Sequence, residues 1–315
     1  MEKLMELKNI TKEFVKVTLQ SKYKIKAVDN ISLDIIEGRN VGIIGESGSG
    51  KTTLGKIIVK LIDPDSGNIY YKGQDITYKK RNKLKDFKNE VQMIFQDPYS
   101  SLDPRMKIGD QIRDFIKLSG NDYSDELVLS YLSKVNLSED VLNKKPAEIS
   151  GGQRQRVAIV KVLTLNPKLI VADEPVSSLD ASIRSQIITT LQNLTLKSGI
   201  TFVYITHDIS TLPFIVDTIN VMYKGKIVES GSIKEILKES YHPYTKALIE
   251  AVPDINKSNK SLNIDIKNIE DENMKEENGC VFYNRCPYAM PICGKKVPEL
   301  KQIKNNHKVA CHLYS

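Results

Sequence analysis

Cysteine is missing from the first 279 residues of this 315-residue chain, and all four thiols fall beyond Gly279. That distribution excludes a disulfide framework running through the main body. No apolar run approaches the length that a bilayer-crossing helix needs, so any membrane contact is expected through a partner. The opening Met1-Glu2-Lys3-Leu4-Met5-Glu6 lacks the apolar centre of a signal peptide, and the expected compartment is the cytosol. Aromatic residues are not interleaved with the basic ones, which removes the stacking platforms of a nucleic-acid binder. The net charge of +7 is dispersed, and its densest run, Lys79–Lys85, reads as a solvated face.

What is present is phosphate chemistry. Gly45-Glu46-Ser47-Gly48-Ser49-Gly50-Lys51-Thr52-Thr53 contains a full G-x-x-x-x-G-K-S/T loop, preceded by the apolar strand pattern Val41–Ile44 and followed by a helical one (Leu54, Ile57, Ile58, Leu61). The glycines let successive N–H groups turn inward on phosphate oxygens, Lys51 reaches the β- and γ-phosphates, and Thr52 offers a hydroxyl to Mg²⁺. A second buried-strand run, Leu169–Ala172, delivers Asp173 and Glu174 at its carboxyl end. Asp173 is the candidate Mg²⁺ ligand and Glu174 the candidate base for the attacking water. Ser150-Gly151-Gly152-Gln153 opens a helix, with Ser150 as N-cap, and makes a second anion-binding element. One phosphate loop with two such elements implies that the second completes a site on another subunit.

Taken together, Gly45–Thr52, Gln96, Ser150–Gln153, Asp173-Glu174, Ser178-Leu179-Asp180 and His207 resemble the ATP-binding subunit of ABC transporters, over about residues 1 to 235. The resemblance implies an α/β fold: a P-loop NTPase (ABC ATPase) core with a helical subdomain and a small Cys-rich C-terminal extension. It implies that Gln96 senses Mg²⁺ and touches a transmembrane partner, that Asp180 lies at a dimer seam, and that His207 holds the γ-phosphate and water. Phe14 is the adenine-stacking candidate, with Tyr23 as its rival because Val15–Lys26 reads as a long loop. Ile149 stands where the signature has Leu, a change between apolar residues. A soluble ABC-type ATPase acting on nucleic acid or ribosomes would carry coiled-coil heptads, zinc modules or a duplicated cassette, and none is present. A simple phosphate-loop kinase leaves Ser150–Gln153 and His207 unexplained.

Strands alternate with helices, which implies a largely parallel sheet covered on both faces. The expected division is 1–96 and 166–253 for the nucleotide-binding core, 97–165 for the helical subdomain, 254–279 for a polar linker and 280–315 for a Cys-rich module. His242-Pro243-Tyr244-Thr245 begins a short helix, and with the Cys-rich tail it resembles the oligopeptide/dipeptide/nickel branch of ABC importers. That implies a second, different ATPase subunit, two permease subunits, an extracytoplasmic solute-binding protein and a place on the cytoplasmic face of the membrane. Peptides are the expected solute, with nickel or oligosaccharides behind them. Cys280, Cys286, Cys293 and Cys311 are spaced too widely for the usual short zinc knuckles; a 4Fe-4S cluster, a Zn²⁺ ion and free thiols stay open, and a cluster would brace a tail too small for its own core.

Overall fold

The computed structural model describes residues 2–17, 22–120, 122–177, 179–252 and 278–315. Ser178 and nearly all of the expected linker 254–279 lie outside these residues. In chain order the elements are β1 (Lys3–Val17), β2 (Lys22–Ile36), β3 (Val41–Ile44), α1 (Lys51–Ile58), β4 (Ser66–Tyr71), β5 (Gln74–Asp75), α2 (Lys85–Glu90) and β6 (Val91–Ile94). Then follow α3 (Ile108–Ser119), α4 (Asp125–Lys134), α5 (Gly151–Leu163), β7 (Leu169–Asp173), α6 (Ala181–Ser198), β8 (Thr201–Thr206), β9 (Thr218–Tyr223) and β10 (Lys226–Ser232). The chain closes with α7 (Ile233–Lys238), α8 (Pro243–Glu250), β11 (Lys301–Lys304) and β12 (His307–Val309).

Eight strands form one sheet in the order β11-β12-β10-β9-β3-β8-β7-β6, and the five from β9 to β6 run parallel. Every residue of β3, β7 and β8 is buried, which is why these runs read as uninterrupted apolar stretches. Their side chains alternate between two cores. Leu169 and Val171 join α1 and the small antiparallel sheet β2-β1-β4-β5, while Ile170 and Ala172 join the helices on the other face. The expectation of a sheet covered on both faces holds. Three α-helices, α3 to α5, fill the stretch read as helical, with Ile108, Ile112 and Ile116 of α3 turned inward one and two turns apart.

Two expectations change. The described parts of the stretch read as a long loop, 15–17 and 22–26, are strand, with Val15 paired to Lys24 and Lys16 to Tyr23, because alternating side chains let β1 and β2 continue pairing beyond the core. The Cys-rich segment is continuous with the core. β12 pairs with β10 through Glu229 and Ser230, and Cys280, Phe282 and Cys293 join the large hydrophobic cluster. A segment with too little apolar area of its own gains burial by extending an existing sheet and core.

Candidate active site

The carboxyl ends of β3, β8, β7 and β6, four adjacent parallel strands, open on one rim and carry the phosphate loop, His207, Asp173-Glu174 and Gln96 respectively. Ligands of open parallel sheets sit at such a rim because the strand ends and helix starts converge there. A cleft of about 590 Å³ occupies it, lined by Gly45, Glu46, Ser47, Gly48, Gly50, Lys51, Thr52, Thr53, Gln96, Glu174 and His207 together with Ala27 and Leu248. That volume falls within the usual range of small-molecule sites.

The loop geometry requires glycine at its two ends. Gly45 has φ 154°, and a Cβ there would lie 2.1 Å from the Met222 carbonyl; Gly50 has φ 101°, and its Cβ would lie 1.9 Å from the Ala27 carbonyl. Lys51 folds back into the ring so formed, donating to the carbonyls of Gly45 (2.7 Å) and Glu46 (2.8 Å). Burial pulls its pKa down, opposed by Glu174, Asp173 and Glu46. Those acidic neighbours sustain the charge of an ammonium that burial would otherwise disfavour.

Asp173 ends β7 and is buried. Burial pushes its carboxyl pKa up, while the Thr52 hydroxyl, donating at 3.2 Å, opposes the rise. These two oxygen donors suit a hard cation such as Mg²⁺. Glu174 takes a left-handed backbone (φ 45°), uncommon for a residue with a Cβ, and its N–H donates to the Ile205 carbonyl at 2.9 Å. The turn aims the carboxylate at the cleft, where Oε2 accepts from Gln96 Nε2 at 3.0 Å and Oε1 meets His207 Nδ1 at 2.9 Å. Because a carboxylate only accepts, the contact places the proton of a neutral His207 on Nδ1 and leaves Nε2 as an acceptor. The arrangement holds a carboxylate, an imidazole and an amide around one point beside the phosphate loop, the group set of a hydrolytic phosphoryl-transfer site.

Several sequence candidates stand apart from this cleft. Ser49 is buried beneath the loop, within 3.5 Å of Lys51 Nζ. The Ser150 hydroxyl accepts from the Gln153 N–H (3.2 Å) and Gln153 Oε1 accepts from the Ser150 N–H (3.0 Å), a capping box that starts α5. A Cβ on Gly151 would meet only a Leu179 side chain at 3.6 Å, whereas one on Gly152 would lie 2.4 Å from Ile183 of α6. Asp180 caps α6 by accepting from the Ile183 N–H at 3.0 Å. Phe14 and Tyr23 are absent from the lining. Cross-strand register and strand alternation put both on one face of the β1–β2 ladder, with Phe14 44% and Tyr23 42% exposed, and the register shifts at Ala27, between them and the cleft. Sequence reasoning missed Ala27 and Leu248; the H-P-Y-T element pointed at the helix carrying Leu248 but not at its place beside the loop.

None of the four cysteines is in a disulfide. Burial pushes Cys280 up to about 11, and Cys293, Cys311 and Cys286 each add to the rise. Burial likewise raises Cys286 and Cys311. Cys280 N–H donates to the Cys293 carbonyl at 2.7 Å, and the backbone N–H two residues on points at the sulfur of Cys280, Cys286 and Cys311. Among the described residues no three or more His, Cys, Asp or Glu side chains are grouped tightly enough to hold one metal ion.

Comparisons with known proteins agree with this chemistry. Residues 28–177 match the family model described as ABC transporter, and 228–293 that described as oligopeptide/dipeptide transporter, C-terminal region. The chain is 41% identical to the oligopeptide transport ATP-binding protein AppF of Bacillus subtilis (strain 168), across 100% of this chain and 98% of that one. It is 40% identical to the putative oligopeptide transport ATP-binding protein YkfD of the same organism, across 93% and 91%, and 38% identical to a putative peptide import ATP-binding protein of Brucella ovis, across 91% and 92%. Among solved structures, the dimeric ATP-binding cassette MJ0796 bound to ADP and Pi aligns with TM-score 0.65 and 31% identity over 73% of this chain and 98% of that one. CbiO1 from Clostridium perfringens aligns with TM-score 0.63 and 27% identity, over 76% and 92%.

Proposed function

This chain belongs to the ATP-binding family of ABC transporters, in its oligopeptide/dipeptide branch, and on that premise we propose that it hydrolyses ATP to energise the import of peptides. The observation that carries the chemistry is Glu174, its two oxygens on Gln96 and His207 beside the phosphate loop. The loop amides from Gly45 to Thr53 and the Lys51 ammonium hold the phosphates. Glu174 accepts the proton of a water aimed in line at the γ-phosphate, and His207, held by Glu174 through Nδ1, orients that water through the free acceptor Nε2. Thr52, Asp173 and Gln96 are the residues that would hold Mg²⁺, which would supply charge neutralisation on the phosphates. Adenine stacks on the hairpin face, on Phe14 or Tyr23.

The N-terminus of α5, with Ser150, Gly151, Gly152 and Gln153, closes on the ATP of a second subunit, and Asp180 sits at the seam. The Ser150 capping box and the open space over Gly151 support this reading, since the element is built and remains free in its own chain. We take the second subunit to be a different ATPase, and the two to drive two permease subunits, fed by a solute-binding protein, from the cytoplasmic face. No helix among the described residues is long and apolar enough to cross a membrane. We keep the division into core (1–96, 166–253), helical subdomain (97–165), linker (254–279) and Cys-rich segment (280–315), with the last seated on the sheet edge of the core.

For the thiols we propose a 4Fe-4S cluster in preference to Zn²⁺. Cys280, Cys286, Cys293 and Cys311 would each hold one iron of such a cluster, and backbone N–H donors to sulfur are the usual tuning groups. The three N–H groups directed at Cys280, Cys286 and Cys311 support that choice. The decisive experiment for the function as a whole is Glu174→Gln: MgATP binding is retained, turnover falls by about a hundredfold or more, and with its partner the variant runs as an ATP-dependent dimer on size exclusion. Undiminished steady-state turnover would remove Glu174 from its role.

A further inference from the structure

Glu46 is an odd residue for the mouth of a triphosphate site. Glu46 is among the residues lining the cleft, and its negative charge reaches the Lys51 ammonium, so it opposes the anionic ligand that the loop is built to hold. In the folded chain that charge is answered by a residue 239 positions away: Arg285 grips Glu46 with both ends of its guanidinium, Nη1 to Oε2 at 2.8 Å and Nη2 to Oε1 at 3.0 Å. Arg285 is held in turn by the Tyr223 hydroxyl at 3.3 Å, with the rings of Tyr223 and Phe282 beneath its cationic carbon at 5.7 and 5.9 Å. A second contact reaches the same loop residue. The Glu46 N–H donates to the Tyr244 hydroxyl at 2.8 Å, and Tyr244 is fully buried against Tyr223 and Phe282.

A planar fork on a carboxylate fixes direction as well as charge. Here it fixes the first turn of the phosphate loop from a scaffold of three buried aromatic rings. We propose that Arg285 is a positioning residue of the nucleotide site: by neutralising Glu46 and, with Tyr244, setting the entry of the loop, the C-terminal segment controls how tightly the site holds the nucleotide phosphates. The proposal rests on the ATPase reading above. It goes beyond it in making residues outside the nucleotide-binding core part of the site.

The two roles of Arg285 separate by charge. Arg285→Ala leaves Glu46 facing the phosphates uncompensated, so the full-length chain binds MgATP and MgADP about tenfold more weakly, the scale of one charge-assisted contact. In the assembled enzyme KM rises while kcat at saturation stays within about twofold, because Arg285 touches no reacting atom. The defect shrinks as salt is raised. Adding Glu46→Gln to Arg285→Ala restores most of the affinity, since the repelling charge is gone, and Glu46→Gln alone binds MgATP at least as tightly as wild type. A tail that merely collapsed would not be rescued by a change in the loop. The measurement is equilibrium binding of MgATP and MgADP to purified full-length variants, with Lys51→Ala as the non-binding control. Unchanged affinity in Arg285→Ala, or a double variant as weak as Arg285→Ala, overturns the proposal. Weaker binding by Glu46→Gln overturns it however Arg285→Ala folds. Wild-type chain that fails to bind MgATP overturns the ATPase reading with it, whereas wild-type binding lost in Lys51→Ala but untouched in Arg285→Ala overturns this proposal alone.

Discussion

Acid is expected to loosen the joint between α8 and the C-terminal segment through His242. The ring is 1% exposed and caps α8, with Nδ1 accepting from the Tyr244 N–H at 3.1 Å, so the folded state needs that nitrogen unprotonated. Glu229 meets the backbone N–H of His242 at 3.0 Å, and the ring packs on Phe282 at 5.6 Å; among the described residues no ion pair to the ring is present. Burial therefore acts without compensation and lowers the pKa from 6.5 to about 3. The unfolded chain takes up this proton below 6.5, and the folded chain does not until about 3. Stability from this group is thus complete above the unfolded value and is lost as pH falls toward the folded one. Between about pH 7.5 and 5.5 the loss comes to about 1.4 kcal/mol. His242→Asn keeps a capping acceptor and removes the titration. Urea unfolding at the two pH values should show wild type losing about 1.4 kcal/mol more than the variant. Equal losses in both proteins, or a His242 ring resonance that titrates near the free value, would refute the reasoning.

Lys51→Ala and Gly50→Ala should each abolish MgATP binding in equilibrium dialysis, the first by deleting the phosphate cation and the second because its Cβ would sit 1.9 Å from the Ala27 carbonyl and deform the loop. Gly151→Ala should leave MgATP affinity of the isolated chain within about twofold of wild type while turnover of the assembled enzyme falls; lost affinity in the isolated chain would show that the element acts in cis. Gly152→Ala, 2.4 Å from Ile183, should instead lower the thermal midpoint through overpacking, at a cost of about 1–3 kcal/mol. Protein purified without oxygen should be brown and contain iron and labile sulfide in near-equal amounts, and Cys311→Ser should lose both; stoichiometric zinc in colourless protein would replace the cluster.

How much of this was legible in the sequence follows from the range of each interaction. Gly45–Thr53, Gln96, Asp173-Glu174 and His207 each follow their own apolar strand, so the local pattern gives strand and functional residue together. Parallel order then forces the four strand ends onto one rim. The Ser150–Gln153 cap is likewise local, closing within four residues. Long hairpin pairing was lost because Lys22, Lys24 and Lys26 make the outer half of β2 look like a polar loop, although a ladder needs only backbone partners once its inner half is anchored by Val28 and Ile31.

Glu229 shows why the C-terminal segment could not be read as part of the core. In Lys226-Ile227-Val228-Glu229-Ser230 it looks like the solvent-facing member of an edge strand, yet it is 0% exposed. Its carboxylate accepts from the Tyr241 N–H at 2.8 Å and the His242 N–H at 3.0 Å, and meets His307 Nε2 at 2.7 Å. The third partner lies 78 residues on, across the stretch read as a linker, and no local pattern encodes it. A carboxylate stripped of water is tolerated only with its partners in place, and leaving one out costs several kcal/mol. Burial of Glu229 therefore presupposes β12, and β12 in turn covers the edge of β10. The same segment brings Phe282 and Arg285 against Tyr223, Tyr244 and Glu46. What composition marks as an appendage is, by its hydrogen bonds, the outer edge of the nucleotide-binding sheet.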